Sequence, residues 1–560
     1  MPRRSRGKIS RVPKVPDILH PTLIELDKEY TNEEDTLEII VGEKPSIKGP
    51  RFVQDLGMDK ILQQGTELSF PNWKQPGEDR DWDRERRKDY TRATVSKIIE
   101  KIFTVPSDLS TANYRLAVFD YLLNNQEGFG NFSRVFQNLN TLIVQGLQRK
   151  SRNHEDDIWT RVSNYGLIFD ITEHYMPFGK DAPEALQRMD AYFEALKKSH
   201  SHKKMGELAQ KLSKPYDINL RIRIDPTKQD RHDSYPWVVA ASVVRASEFT
   251  GEFGDQFELD SRYEPRDSYG EESKHPVKSI LQRAIELKYD RHLSDTAGHI
   301  SATLSLFEPM LVYMGFIHFM KEQQKRGIKF CRPKFSDGEC CIIDAKNPLV
   351  TTEPVIGNDI KYQREGVVRV ITGPNNGGKT VYIKTVGMIH ALAQRGFYVP
   401  ASKAELRFVD NVYTHFINPD DISNAEGRYK NEMRRMDEIF SSVTPNSVVI
   451  LDEPCGGTTI ESGEKVSREF LQAFGALGNI TYLTTHMGGL ADAVTSGVIP
   501  KSGNLHMHMR EDGKPTYQLK EGKSPMHYGD FIPKEMSLDS AALSRRLAER
   551  ASKEGFSFPW

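Results

Sequence analysis

The stretch Glu365–Thr380, EGVVRVITGPNNGGKT, constrains the fold of this chain more than any other stretch. It begins with a short apolar run of the kind that forms a buried parallel strand: Val367, Val368, Val370 and Ile371. A helical pattern follows the run and its loop, and its predicted buried stripe is Val381, Val386, Ile389 and Leu392. The loop fills every fixed position of G-x-x-x-x-G-K-[ST], with Gly373, Gly378, Lys379 and Thr380. The sequence therefore predicts a strand, a phosphate-binding loop and a helix in direct succession.

This loop is predicted to bind a nucleoside triphosphate. Its glycines let successive backbone N–H groups turn towards the phosphates, and the helix that follows adds the positive end of its dipole. Lys379 is predicted to reach the β- and γ-phosphates, and the Thr380 hydroxyl to ligate Mg²⁺. The alternative is a glycine-rich turn that matches by chance. The predicted binding residues of the loop are Gly373, Pro374, Asn375, Asn376, Gly377, Gly378, Lys379 and Thr380.

Two later apolar runs each end in candidate catalytic side chains. Val448–Leu451 reads as a buried strand that ends in Asp452 and Glu453. Asp452 is predicted to hold Mg²⁺, and Glu453 to polarise the attacking water. The strand NITYLTT ends in His486, which is placed to sense the γ-phosphate. Solvated carboxylates at a strand end, and a purely structural histidine, are the alternatives.

Length and composition exclude a single-core fold and little else. The chain has 560 residues, and a typical domain of about 150 residues predicts three or four units. A formal net charge of −1 argues neither for nor against nucleic acid, because a local basic surface can be hidden in a neutral total. The four cysteines fit a reducing compartment, and they lack the spacing of a metal site.

The sequence also bears on location. No continuous apolar run reaches the length of a membrane span, and the basic start, MPRRSRGKISRVPKVP, lacks the apolar core of a secretory signal. We therefore expect no membrane contact. The expected location is the cytoplasm, in association with the nucleoid, or the nucleus in a eukaryote.

Four motifs of this chain resemble those of a known family. The motifs GPNNGGKT, DDISNAEGRYKNEMRRM, ILDEPCGGTT and TTH occur in the order of ABC-type ATPases, and the GPN opening of the loop is similar to that of the MutS family. The similarity is strong over about Val277–Arg550 and weak but collinear from about Arg51. Further similar segments are NPLV at Asn347–Val350, NDI at Asn358–Ile360, QRGFYVPA at Gln394–Ala401 and YQLKEGKSPMHYG at Tyr517–Gly529.

The resemblance implies a homodimer with two composite ATP sites. Each site would be closed by the other subunit's signature loop, from which Asn424, Gly427 and Arg428 are candidate nucleotide contacts. The resemblance also adds Asn358 and Ile360 to the predicted cofactor-binding residues. Gly427 stands where the family's signature has serine, so backbone N–H groups and the helix N-terminus would replace a hydroxyl, and slow hydrolysis is expected.

Departures from the family pattern limit the expected function. The first hundred residues offer no Phe-x-Glu wedge, so direct mismatch reading is not expected. No Smr nuclease domain follows the ATPase, so no nuclease activity is implied. Residues 214–276 are too few for a full clamp domain. A protein partner that supplies recognition is therefore part of the expectation.

The resulting fold class is multidomain, with a mainly α-helical core and lever domain plus a C-terminal α/β P-loop ATPase domain of the ABC type. Helical spacing dominates from Thr91 to about Ser201, and alternation at Ile218–Ile224 indicates a strand. The predicted segments are a disordered basic arm at 1–20, the first helical part at 21–213, a short β-containing connector or reduced clamp at 214–276, lever helices at 277–330, the ATPase at 331–550 and a tail at 551–560.

Three functions are weighed on these features. The first is a dimeric, Mg²⁺-dependent ATPase whose ATP state drives closure of a clamp on DNA, or on a branched DNA intermediate, in repair or recombination. The second is an ATP-gated interaction or scaffold protein that has lost DNA contact. The third, a small-molecule kinase, seldom needs Asp452, Glu453 and His486 together with a signature helix. The sequence favours the first.

Overall fold

The computed structural model describes residues 17–19, 50–69, 93–99, 102–103, 108–150, 158–212, 218–229, 236–246, 289, 292–293, 296, 298–363, 366–416, 425–524 and 539–557. The chain divides into two compact units. The first comprises Met1–Lys44 and Tyr121–Leu311, and the second comprises Pro45–Asp120 and Val312–Trp560. The segment boundaries given above stay predictions.

The first unit is mainly helical. Three of its buried polar side chains lie within hydrogen-bonding distance of one another: the Tyr165 hydroxyl lies 2.7 Å from His202 Nδ1 and 3.0 Å from His299 Nδ1. The elements are α4 Gln126–Lys150, α5 Ile158–Glu173, α6 Glu184–Lys198, α7 His200–Leu212, β1 Ile218–Gln229 and β2 Pro236–Ala246. Strands β1 and β2 pair antiparallel, as the alternating pattern predicts.

Most of the other described helices and strands lie in the second unit. Helices α3 and α8 run across the boundary between the units. The helices are α1 Arg51–Asp55, α2 Met58–Leu68, α3 Leu109–Asn124, α8 Phe307–Lys325, α9 Lys379–Gln394, α10 Ala425–Phe440, α11 Ile460–Leu477, α12 Gly488–Thr495 and α13 Ser540–Glu554. The strands are β3 Lys334–Phe335, β4 Cys340–Ala345, β5 Asn358–Tyr362, β6 Val367–Thr372, β7 Lys403–Leu406, β8 Val412–His415, β9 Val448–Asp452, β10 Ile480–Thr484, β11 Ser502–Met509 and β12 Pro515–Glu521.

A six-stranded sheet forms the centre of this unit, in the order β12-β11-β6-β10-β9-β8. Strands β6, β8, β9, β10 and β11 are parallel, and β12 is the antiparallel edge strand. One face packs Val368, Leu451 and Leu483 against buried side chains of α10, α11 and α12. The other face carries α9, which contacts β9 and β10, so the centre of the sheet is covered on both faces and the run Val448–Leu451 of β9 is fully buried. A second sheet, β3-β7-β4-β5, has four strands.

Parallel strands put their carboxyl ends at one edge of the sheet, and this places the candidate site. Strand β10 lies between β6 and β9, with Thr484 opposite Ile371 on one side and Asp452 on the other. The loop after β6, the acidic pair after β9 and His486 after β10 therefore meet at one edge.

Several sequence expectations are settled here. The strands predicted at Val448–Leu451, in NITYLTT and in INLRIRID are present as β9, β10 and β1. Val381 was predicted to belong to the buried stripe of the loop helix; this is wrong, because it is 41% exposed while Val386, Ile389 and Leu392 are buried. The disordered basic arm predicted at 1–20 lies outside the described residues, except Asp17–Leu19, of which Ile18 and Leu19 are buried. Residues 249–275, whose Gly-, Asp- and Glu-rich composition predicts a loop, also lie outside them.

The apolar stretch Gly298–Lys325 is long and apolar enough to cross a membrane by length and composition. A search for an uninterrupted apolar run does not find this stretch, because polar residues interrupt it. Its mean hydropathy is nevertheless 1.5. In the fold 83% of its apolar window is buried. That burial is typical of a core helix.

Phe119 is the centre of an aromatic cluster in the second unit. Its ring centroid lies 4.8 Å from Tyr313, 5.6 Å from Phe316 and 5.5 Å from Phe397, and the side chain is 0% exposed. Phe119→Ala is expected to lower the free energy of unfolding of this unit by about 3–5 kcal/mol, through lost burial and the cavity left behind. Denaturant unfolding measures it. Phe556→Ala is the control, because this side chain is 43% exposed, and it should change the free energy of unfolding by less than about 0.5 kcal/mol. Equal effects would contradict the prediction.

Candidate functional site

The loop after β6 turns on backbone conformations that few residues adopt. Gly373, Asn376 and Gly378 all have positive φ, at 149°, 63° and 97°. Gly378 directly precedes α9, and a Cβ there would lie 3.2 Å from the Tyr517 ring. Glycine is therefore required for both the turn and the close approach of the ring. The loop ends on the N-terminus of a sixteen-residue helix.

Lys379 lies within the curve of this loop. Its side chain is 5% exposed, and Nζ donates to the carbonyl oxygens of Gly373 at 2.9 Å and Pro374 at 3.2 Å. Nζ is also 3.4 Å from His486 Nε2. The ammonium group is thus held at the loop by neutral carbonyls, which a phosphate can replace with stronger, charge-assisted contacts.

Thr380 and Asp452 meet across the sheet edge. The Thr380 hydroxyl donates to Asp452 Oδ1 at 3.0 Å and lies 3.2 Å from Oδ2, while Thr484 Oγ1 donates to Oδ1 at 2.6 Å. A hydroxyl and a carboxylate are oxygen ligands of the kind that Mg²⁺ prefers. The donor set therefore fits Mg²⁺, with Thr380 and Asp452 as the residues that would hold it. Thr484, which orients this carboxylate, was missed in the sequence because a threonine in a strand gives no separate signal.

Glu453 and His486 form a pair beside the loop. His486 Nε2 lies 2.6 Å from Glu453 Oε1, and the Glu453 backbone N–H donates to the Thr484 carbonyl at 3.1 Å. Glu453 has φ 49° and Cys455 has φ 63°, a region that non-glycine residues seldom occupy. Such backbone strain is common where side chains must be aimed at a reacting group.

The electrostatics separate the two acids. The hydrogen bond from His486 lowers the pKa of Glu453, with His486, Lys379 and Arg428 acting in the same direction against burial. Burial raises the pKa of Asp452, opposed by the hydroxyls of Thr484 and Thr380. Burial also lowers the pKa of Lys379, and the charges of Glu453 and Asp452 oppose that shift. The surroundings thus favour the ionised form of Glu453, whereas burial disfavours the ionised form of Asp452.

Helix α10, which begins in the predicted signature segment, lies near the loop that follows β9, residues 453–459, which we call the acidic loop. The Arg428 guanidinium donates to Glu432 Oε1 at 3.1 Å, and Glu432 Oε2 accepts from the Gly457 N–H at 3.3 Å. A Cβ at Gly456 would lie 2.9 Å from Arg428 Nη2. Arg428 therefore contacts the acidic loop of its own chain. Gly427 is half-buried in the same helix, and Asn424 lies outside the described residues.

The predicted contacts Asn358 and Ile360 are engaged within the protein. Asn358 Nδ2 donates to the Tyr517 carbonyl at 2.9 Å, and its Oδ1 accepts from the Leu519 N–H at 2.8 Å. Ile360 is 0% exposed and pairs with Ile342. Asn358 thus holds β12, whose Tyr517 ring lies beside the loop. Tyr517 is 48% exposed with φ 58°. Its placement beside the loop could not be predicted from the sequence, because it depends on pairing between distant strands.

Comparison with known proteins places the site in a family. The family model described as MutS domain V matches residues 369–548. The DNA mismatch repair protein MSH3 of Eremothecium gossypii is 33% identical over 235 residues, 39% of this chain and 22% of that protein. MSH3 of Saccharomyces cerevisiae is 26% identical over 397 residues, 67% of this chain and 37% of that protein. The DNA mismatch repair protein MutS of Chloroflexus aurantiacus is 30% identical over 238 residues, 40% of this chain and 24% of that protein.

The matched region contains most of the geometry described above. Gly373, Lys379, Thr380, Asp452, Glu453 and His486 all lie within residues 369–548. The chain spans well under half the length of these relatives. Residues 369–548, which contain the sheet edge and its side chains, are therefore similar to domain V of the MutS family, and the chain is similar to proteins named MSH3 and MutS.

Proposed function

We propose that this protein is a MutS-like, Mg²⁺-dependent ATPase whose nucleotide state controls its grip on DNA. The observation that carries the proposal is the convergence of the Lys379 ammonium, the Thr380–Asp452 pair and the Glu453–His486 pair at one sheet edge. A glycine turn that matched the pattern by chance would not bring these groups together.

Each side chain has a distinct task in this proposal. Lys379 binds the β- and γ-phosphates, since its present partners are neutral carbonyls. Mg²⁺, held by Thr380 and Asp452, would neutralise phosphate charge when it is bound. Glu453 accepts a proton from the attacking water as general base, and His486 orients its carboxylate from 2.6 Å. Gly373–Thr380 supplies backbone N–H groups and the helix N-terminus to the phosphates.

The proposal includes a homodimer with composite sites, to which Gly427, Arg428 and Asn424 contribute. Exposed apolar side chains at this edge support it: Ile460, the first residue of α11 after the acidic loop, is 74% exposed, and Val381 in the first turn of α9 is 41% exposed. A partner subunit seated on this edge would bury both.

Tyr517 is proposed to stack on the nucleotide base. An exposed ring beside Gly378 is placed where a base attached to bound phosphates can reach it. Tyr517→Ala is expected to weaken ATP binding by about tenfold, within the range of about 1–3 kcal/mol for aromatic stacking on a base. Equilibrium binding of a fluorescent ATP analogue, confirmed by competition with ATP, measures it. Tyr517→Phe keeps the ring and should bind ATP as the wild type does. Weakened ATP binding in Tyr517→Phe would contradict stacking and show that the hydroxyl makes the contact.

The DNA part of the proposal follows from the relatives, which are named DNA mismatch repair proteins. The test is fluorescence anisotropy with homoduplex, mismatched duplex and four-way junction DNA, at two salt concentrations, with and without ATP. Binding that rises with ATP supports the proposal, and it should weaken at high salt because phosphate contacts release counterions. No binding to any of the three would overturn the DNA role and favour the ATP-gated scaffold.

The proposed location follows the same relatives. Fungal MSH3 and bacterial MutS are named as DNA mismatch repair proteins. We place this protein with DNA accordingly, in the nucleoid-containing cytoplasm of a prokaryote or in the nucleus of a eukaryote. A further protein that supplies recognition of the DNA structure belongs to the same proposal.

A further inference from the structure

The acidic loop has a backbone conformation that its own residues do not favour. Glu453 and Cys455 both have positive φ, at 49° and 63°, a region that non-glycine residues occupy when surrounding contacts hold them there. The loop is anchored at both ends. The Glu453 N–H donates to the Thr484 carbonyl at 3.1 Å, and the Thr459 side chain accepts from the Ser462 N–H at the start of α11. The middle of the loop needs a contact of its own to keep this conformation.

Glu432 of α10 supplies that contact. Its Oε2 accepts from the Gly457 N–H at 3.3 Å, and its Oε1 accepts from Arg428 Nε at 3.1 Å. Only 3% of Glu432 is exposed, and a buried carboxylate is tolerated when its oxygens are paired. One buried carboxylate thus connects the backbone of the acidic loop to a cation near the start of α10.

Gly457 lets the acidic loop lie directly against α10. A Cβ at this position would lie 3.0 Å from the backbone nitrogen of Tyr429 and 3.1 Å from its Cα. These atoms belong to the helix backbone and cannot move aside as the end of a flexible side chain can. The loop therefore contacts the helix at the residue whose N–H donates to Glu432, and that residue lies four positions after Glu453.

We propose that Glu432 is a positioning residue for the ATPase reaction: its carboxylate holds the Gly457 N–H and so keeps the acidic loop in the conformation that presents Glu453 beside His486. Glu453 is the proposed general base, and a base acts when it is within hydrogen-bond reach of the water that it deprotonates. The inference rests on the proposed ATPase function. It assigns to that site a residue that acts through the loop rather than on the phosphates.

The first test is Glu432→Met, which keeps a side chain of similar length and removes both acceptor oxygens. We expect kcat for ATP hydrolysis to fall by about 10–100-fold, because a displacement of about 1 Å in a catalytic group can cost on the order of 100-fold. The dissociation constant of a fluorescent ATP analogue should stay within about twofold of the wild type, since Lys379 and Thr380 keep their contacts. Glu438→Met is the matched control, because Glu438 is an exposed carboxylate on the same helix, and it should change neither constant.

Glu432→Gln separates the two contacts of the carboxylate. It keeps an oxygen that accepts from the Gly457 N–H and removes the charge that pairs with Arg428. Because the Arg428 side chain is 23% exposed and such ion pairs contribute little, kcat should stay within about threefold of the wild type. A Glu432→Gln protein as slow as Glu432→Met would show that the ion pair, and not the contact with the loop, sustains the reaction, and would overturn the inference.

Glu432→Asp is the further variant if Glu432→Met does not fold. It keeps the charge and shortens the side chain, which draws the acceptor away from the Gly457 N–H. It should therefore lower kcat while ATP binding is retained, and an unchanged kcat would overturn the inference.

The combination with Glu453→Gln tests the route of the effect. If Glu432 acts through Glu453, Glu432→Met should cost little further kcat once Glu453 has been replaced. Single-turnover hydrolysis measures these slow rates. Losses that multiply in the double variant, or an unchanged kcat in Glu432→Met alone, would overturn the inference. A wild-type protein that hydrolyses no ATP would instead overturn the proposed function, and this inference with it.

Discussion

Replacement of Lys379 by alanine is expected to abolish ATP binding at micromolar nucleotide concentrations. The side chain is buried in the curve of the phosphate loop, where Nζ lies 2.9 Å from the Gly373 carbonyl oxygen, 3.2 Å from that of Pro374 and 3.4 Å from His486 Nε2. Contacts between an ammonium group and phosphate contribute about 1.5–3 kcal/mol each, so the loss of two corresponds to a fall in affinity of at least about 100-fold.

Titration with a fluorescent ATP analogue measures the affinity, and circular dichroism checks the fold. Lys403→Ala is the matched control, since Lys403 is an exposed lysine that lies 3.7 Å from Glu405 in an ion pair. Such a pair contributes about 1 kcal/mol or less, and the control should bind ATP as the wild type does. Wild-type affinity in Lys379→Ala would remove the loop from nucleotide binding.

The grouping of the candidate residues at one edge of the central sheet was predictable, because a short apolar run in the sequence marks each of the strands that precede them. The runs before Gly373, before Asp452 and before His486 each read as a buried strand, and β6, β9 and β10 are neighbours in the sheet. Parallel strands then place their carboxyl ends together, whatever the order of the strands. Local pattern and a general rule of sheet geometry were sufficient for this part.

The same reasoning could not predict contacts between segments that are far apart in the sequence. The sequence placed Phe52–Leu62 in the helical region, whereas α1 and α2 belong to the second unit with the sheet. The reason lies in surface complementarity, Leu56 against Gly387, and no periodicity within either segment encodes it. Tyr517 is similar, because its position beside Gly378 depends on the antiparallel pairing of β12 and on Asn358.

Burial within α9 shows how helical periodicity fails at a helix end. The spacing of Val381, Val386, Ile389 and Leu392 predicted one apolar stripe, and only Val381 is exposed. It lies in the first turn, immediately after the phosphate loop, where the helix projects from the sheet edge. The proposed second subunit, seated on this edge of the sheet, would cover this apolar side chain.

Replacement of Glu453 by glutamine is expected to leave ATP bound and to lower kcat by about 10²–10⁴-fold, the usual contribution of a general base. Glutamine keeps an oxygen at the position that His486 Nε2 contacts at 2.6 Å, so the site keeps its shape and loses the proton acceptor. ATP affinity should stay within about twofold, because the phosphate contacts of Lys379 are untouched.

Single-turnover hydrolysis separates this outcome from weakened binding, and size-exclusion chromatography with ATP reports the dimer. Glu461→Gln, at an exposed carboxylate in the first turn of α11, is the control and should hydrolyse ATP at the wild-type rate. If Glu453 is the base, we expect the bound triphosphate to persist and the ATP-loaded dimer to accumulate, because hydrolysis is the step proposed to reopen it. An unchanged hydrolysis rate would show that another group accepts the proton, and His486, 3.4 Å from Lys379 Nζ, would then be the residue to replace.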